Sequence, residues 1–208
     1  LDSWKTVRMN WNHVCNGSVI RTALTEIEDP ELLALMTHGA IQNLTYALDG
    51  FSDDGGCEEG PGYWGFGFGH YLYVAHALYV KTDGELNLMT DPKIERICRY
   101  PLAAHIAGPY RSTFADSGHG SIPSRVAITI NEFLDIPELY DLCPLHPDRT
   151  LKLGLEDHSL VHDFTLYRNR KAPGKPDNRD YLLEDLGQVK VRGRKSKDQM
   201  TVLAIAGH

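Results

Sequence analysis

The sequence predicts a mainly α-helical chain of antiparallel helical hairpins that ends in a β segment. Three observations predict it. Apolar residues recur at three- and four-residue spacing through the first two-thirds of the chain. Proline and acidic residues stand where helices begin, as in Asp29-Pro30-Glu31. Beyond residue 180 the apolar spacing shortens to two.

The elements follow in order. Val14, Cys15, Val19, Ile20, Leu24 and Ile27 form one face of a helix over 14–27. Asp29 serves as N-cap of the next helix, with Leu32, Leu33, Met36, Ala40, Leu44 and Leu48 on its buried face and Gly50 as its stop. A third helix runs over 69–79 and ends before Gly84, and two more are expected around 93–106 and 126–140. The loops "DGFSDDGGCEEGPG" and "FADSGHGSIPS" connect them. The basic, Pro- and Gly-rich "RNRKAPGKPDNRD" reads as an exposed connection at 169–180. It divides residues 1–168 from 181–208. In "GQVKVRG", Val189 and Val191 alternate with Gln188, Lys190 and Arg192, the pattern of a half-buried strand, and "MTVLAIAGH" is a second, more apolar strand. Two strands are marginal alone, so the chain reads as a piece of a larger protein.

Composition narrows the functions. The chain has 208 residues, 42% of them hydrophobic, enough for a buried core, and no apolar run nears the roughly 18 residues of a membrane span. A formal charge of −7 argues against a nucleic-acid partner, yet leaves room for a local basic cleft. Cys15, Cys57, Cys98 and Cys143 contain no C-x-x-C pair, so buried thiols are expected rather than a disulfide framework or zinc ribbon. Leu1 is not a natural start, which leaves a removed leader open.

Four stretches carry candidate chemistry. "MNWNHVCNG" sets Asn10, Asn12, His13 and Asn16 at a helix start beside Trp11; capping and a carboxylate site are both open readings. "GGCEEGPGYWGFGFGHYLY" interleaves glycine with Tyr63, Trp64, Phe66, Phe68 and Tyr71, either for close helix packing or as a sugar-stacking cleft with Glu58 and Glu59. "ADSGHG" is either an active-site loop carrying His119 or an ordinary turn. His158 and His162, an i, i+4 pair without a third ligand, are expected on a plain surface helix.

Together, "NWNHVCNG", "DGGCEEGPGYWGFGFGHY", "FADSG" and "LGQVKVRG…MTVLAIAGH" resemble the heparinase II/III-like polysaccharide lyases, including the oligo-alginate lyases. The resemblance runs nearly the full chain. It implies part of an (α/α) toroid of antiparallel helical hairpins at 1–168, followed by the first strands of an antiparallel β-sandwich. The implied reaction is β-elimination on a uronate-containing acidic glycan: loss of the C5 proton and expulsion of the 4-O-linked sugar. Amide donors aimed at the uronate carboxylate stabilise the developing enolate, and a Tyr or His moves the protons.

Carried over residue by residue, the resemblance makes Asn10 or Asn12 the carboxylate neutraliser and Tyr63 the catalytic tyrosine, with Tyr71 in reserve. His208 corresponds to a catalytic or metal-adjacent histidine. Trp11, His13, Glu59, Trp64, Tyr71 and His119 are expected to bind substrate. Cys57 stands where an aromatic is common in the family. No cofactor is certain; a structural zinc occurs in parts of the family, with ligands mainly beyond His208. A periplasmic or secreted location is implied, with the cytoplasm open for an oligosaccharide-acting member, and a homodimer is an open state. Two other readings stand beside the lyase. One is an inverting glycoside hydrolase using two of Asp53, Asp54, Glu58, Glu59 and Asp116. The other is a carbohydrate-binding fragment without chemistry.

Overall fold

The computed structural model describes residues 3–108, 110–143, 177–193 and 200–206. Helices dominate, and a small antiparallel sheet of three strands lies at the C-terminal end. Helix α1 (Asn10–Glu26) and helix α2 (Pro30–Leu48) are joined by three residues and pack together, and α1 also packs against α4 (Gly69–Lys81). Asp29 caps α2 as expected, its carboxylate accepting from the Glu31 and Leu32 amides at 2.9 and 3.1 Å.

The glycine-aromatic stretch departs from expectation. It is helical nine residues earlier than the sequence predicts: α3 (Gly60–Tyr63) runs through a π-helical segment (Trp64–Phe68) into α4, with α-region backbone at each junction. Burial of rings offsets the poor helix propensity of glycine. Trp64 and Phe68 are fully buried, whereas Phe66 between them faces solvent. Gly67 is required for this packing, because a Cβ there would lie 2.7 Å from Asn10 Cβ and 2.9 Å from Asn10 Cα.

Helix α5 (Pro92–Ala104) begins at the Asp91 cap and contains Pro101 in its interior. Proline lacks the N–H that Ile97, four residues earlier, ordinarily receives. The Trp64 indole N–H donates to that Ile97 carbonyl instead, at 2.9 Å. Strands β1 (His105–Ala107) and β2 (Tyr110–Arg111) form a short ribbon. Helix α6 (Ser124–Phe133) stops well before residue 140, giving way to a 3-10 turn at Pro137–Leu142. Asn131 explains the stop: its amide donates to the Ala127 and Ile136 carbonyls and accepts from the Ile136 N–H.

Strands β3 (Tyr181–Leu183), β4 (Gln188–Arg192) and β5 (Thr201–Ile205) pair in the order β3-β4-β5. The strand at 188–192 is half-buried as expected, but its faces are inverted. Val189 and Val191 face outward while Gln188 and Lys190 are almost wholly buried. The cause lies in α5, whose last carbonyls have no helical partner. Gln188 Nε2 donates to Ala103 O at 3.1 Å, and Lys190 Nζ donates to Leu102 O, a cation at the negative end of the helix. Lys190 also lies 4.4 Å from the Tyr181 ring centroid and 3.8 Å from Asp177. Burial lowers its pKa to about 8, with Arg192 adding to the effect. Leu183 and Leu186 join the same apolar cluster as the helices, so the sheet shares the helical core. Replacing Lys190 with alanine strands this polar pocket and should cost about 3 kcal/mol. A urea midpoint that falls at unchanged slope measures it.

Cys57, Cys98 and Cys143 are buried and Cys15 half-buried. Among the described residues no helix is long and apolar enough to cross a membrane. Of the expected connection at 169–180, only 177–180 is described. His158 and His162 lie outside the described residues, as does His208.

Candidate functional site

The start of α1 meets the α3–π junction. Met9 at the N-cap provides no side-chain bond, so the first amides of α1 need another acceptor. Glu59 supplies it from 49 residues away. Its Oε2 accepts from the Asn10 backbone N–H at 2.8 Å and its Oε1 from Asn10 Nδ2 at 2.6 Å. A carboxylate only accepts, so this contact fixes which way the Asn10 amide points and leaves its second N–H unused by Glu59. The negative charge also suits a helix N-terminus.

Asn10, His13, Glu59 and Tyr63 line one small pocket with Arg8, Phe51, Cys57 and Phe68. Its solvent-sized space is about 10 Å³, close to one water, so it admits only a single small group. His13 is buried among rings, with centroids 5.5 Å from Tyr71, 6.0 Å from Phe51 and 6.3 Å from Phe68. Its Nε2 is buried without a hydrogen-bond partner. Burial, with a smaller contribution from His70, lowers its pKa to about 3, so the imidazole is neutral at physiological pH.

That shift carries a pH prediction. The unfolded histidine takes a proton below about pH 6.5, while folded His13 refuses it until about pH 3. Stability is therefore unaffected by this group above 6.5 and falls as pH drops toward 3. Burial lowers the pKa of His70 and of His105 as well, in the same direction. Urea unfolding at pH 7, 6 and 5 should show the decline, and His13→Gln should make it shallower.

The remaining candidates are dispersed. Asn12 is fully buried, its Nδ2 donating to the Lys5 and Asn43 carbonyls at 2.9 Å each and its Oδ1 accepting from Asn16, a ladder between α1 and α2. Trp64 belongs to the core. Tyr71 is 3% exposed and donates its hydroxyl to Leu88 O at 2.7 Å, and burial raises its pKa. Of the two tyrosines in question, Tyr63 lines the pocket. Trp11 is 63% exposed on the outer side of α1.

His119 is exposed with its ring edge-on to Tyr110 at 5.5 Å. It lines a separate open groove of about 520 Å³ between the β1–β2 region and β5, with Arg111, Ser112 and Thr201. The two concavities are linked. Arg111 Nη1 lies 3.5 Å from Pro61 O, and Ser117 Oγ accepts from the Gly62 N–H at 2.9 Å, pressing the His119 loop onto α3. Gly60, at φ +85°, permits that approach, since a Cβ there would meet Phe114 O at 2.8 Å.

The other carboxylates point elsewhere. Asp53 is exposed and faces Lys93 at 3.4 Å. Asp54 pins the β3–β4 turn through the Asp185 and Leu186 amides. Burial raises its pKa, but bonds from Ser52, Gly56 and that turn outweigh it and hold the carboxyl below its usual range. Glu58 and Asp116 are exposed. Among the described residues no three His, Cys, Asp or Glu side chains are grouped to hold a metal ion. Arg8 and Phe51 were not evident as pocket residues, since neither carries a motif signal in the sequence. No protein-family model matches the chain, and no curated protein matches it.

Proposed function

We propose that the Asn10–Tyr63 pocket belongs to a polysaccharide or oligosaccharide lyase that cleaves a uronate-containing glycan by β-elimination, built as part of an (α/α) toroid with the first strands of a β-sandwich. The observation that carries the reading is the convergence of Asn10, His13, Glu59 and Tyr63 on one pocket, with the amide of Asn10 preset by Glu59. The sequence resemblance points to the same residues.

In this reading the uronate carboxylate takes the remaining N–H of Asn10 as charge builds on it. The neutral His13 contributes hydrogen bonding rather than charge. Tyr63 moves the proton from C5 to the departing oxygen: the C5–H electron pair forms the C4–C5 double bond, the C4–O bond breaks with its electron pair on oxygen, and that oxygen leaves as a hydroxyl of the released sugar. Proton transfer by a positioned side chain contributes about 10²- to 10⁴-fold. The 520 Å³ groove with His119 and Arg111 offers room for flanking sugars. The dispersal of Asp53, Asp54, Glu58 and Asp116 gives the hydrolase reading no carboxylate pair at this pocket. The test is product analysis on alginate, heparan-type and other uronate glycans. An unsaturated uronate absorbing in the ultraviolet is expected; reducing ends without a new double bond select hydrolysis.

A further inference from the structure

Beyond the pocket, α1 and α4 carry a second set of groups that the proposed chemistry leaves unused. His13, Gly17 and Arg21 follow one another at four-residue intervals along α1. A Cβ on Gly17 would lie 3.2 Å from His70 Cβ, so this side of α1 is pressed against α4 at His70. There the rings of Phe66, His70 and Tyr73 succeed one another, with centroids 5.6 and 6.3 Å apart.

Two guanidiniums meet at Tyr73. Arg21 lies 5.6 Å and Arg125 5.0 Å from its ring centroid. Stacking on an aromatic face favours each cation, but it does not neutralise either of them. Among the described residues neither arginine forms a salt bridge. Arg125 Nε and His70 Nδ1 are buried with no hydrogen-bond partner. Arg125 also stands in the first turn of α6, where the helix dipole disfavours a cation. That turn has no acidic residue, and its cap, Pro123, offers no side-chain bond. Three basic side chains and a helix N-terminus thus share one place in a chain of net charge −7.

We infer that Arg21, Arg125 and His70 around Tyr73 form a second anion site, which grips a carboxylate or sulfate of the acidic glycan one or more sugars away from the reacting unit. The inference rests on the acidic-glycan reading but not on the lyase chemistry. An oxyanion there accepts from the guanidinium N–H groups that stack at Tyr73. Arg21 is eight residues beyond His13, about 12 Å along the helix. A single uronate in the pocket is too short to reach it, whereas a longer oligosaccharide spans both.

Calorimetric titration of the purified protein with a uronate tetrasaccharide and with the monomeric uronate tests this. The double variant Arg21→Gln/Arg125→Gln should bind the tetrasaccharide about tenfold or more weakly, as expected for lost charged hydrogen bonds. Binding of the monomer should be unchanged, and Arg125→Lys should recover part of the loss. Should the double variant unfold, Arg21→Gln alone, at an exposed position, carries the test with a smaller loss of the same length dependence. A sulfated tetrasaccharide beside the unsulfated one separates the two anion types. Equal affinities of wild type and variants overturn the inference, as does a wild type that binds no acidic oligosaccharide. Arginine-dependent binding without turnover upholds the anion site while removing the lyase reading.

Discussion

Replacing Tyr63 with phenylalanine is expected to lower kcat by about 10²- to 10⁴-fold while leaving substrate affinity nearly unchanged. The change removes one oxygen and keeps the ring that lines the pocket. Loss of kcat without a matching rise in Kd places the hydroxyl in proton transfer, because losing uniform binding would raise Kd and leave kcat unchanged. Tyr71→Phe is the control. Its hydroxyl is bonded to the Leu88 carbonyl in the core, so the expected effect is a loss of stability of about 1 kcal/mol with kcat retained. A reversed pattern, with Tyr71→Phe inactive and Tyr63→Phe active, moves the chemistry out of the pocket.

Gly67→Ala should be nearly as damaging by a different route. The added methyl meets Asn10 at its Cβ and Cα, atoms of a helix start that cannot rotate away. Overpacking of this kind costs about 1–3 kcal/mol. The start of α1 has to move, and with it the Asn10–Glu59 contact that aims the amide. A displacement near 1 Å at such a site costs about 10²-fold in rate. Gly39→Ala, where a Cβ meets nothing within 4 Å, should leave both stability and turnover intact. Melting temperatures and kcat for the two variants decide the matter.

Much of the helical layout was legible because it rests on local rules. Asp29-Pro30-Glu31 marks its helix start through bonds within three residues. What escaped the sequence depends on distant partners. Val189 and Val191 carry the usual signature of an inward face, yet the orphaned carbonyls of α5 draw Gln188 and Lys190 inward. Trp64 reads as a sugar platform until Pro101 is seen to free the Ile97 carbonyl that holds it in the core. Asn10 and Asn12 look equivalent in "NWNH". Only the fold assigns one to the pocket beside Glu59 and the other to the α1–α2 ladder. The glycines between the rings read as either packing or cleft, and Gly67 packs, since its lack of a side chain sets Asn10 against the π-helical segment.

The central claim is that a proton leaves C5 and no water is added. Incubating the purified protein with a uronate oligosaccharide deuterated at C5, and weighing the products by mass spectrometry, tests it most directly. The account predicts an unsaturated product that has lost the deuterium to solvent, together with an unlabelled new end on the leaving sugar. Products that keep the deuterium and gain the mass of one water would contradict it.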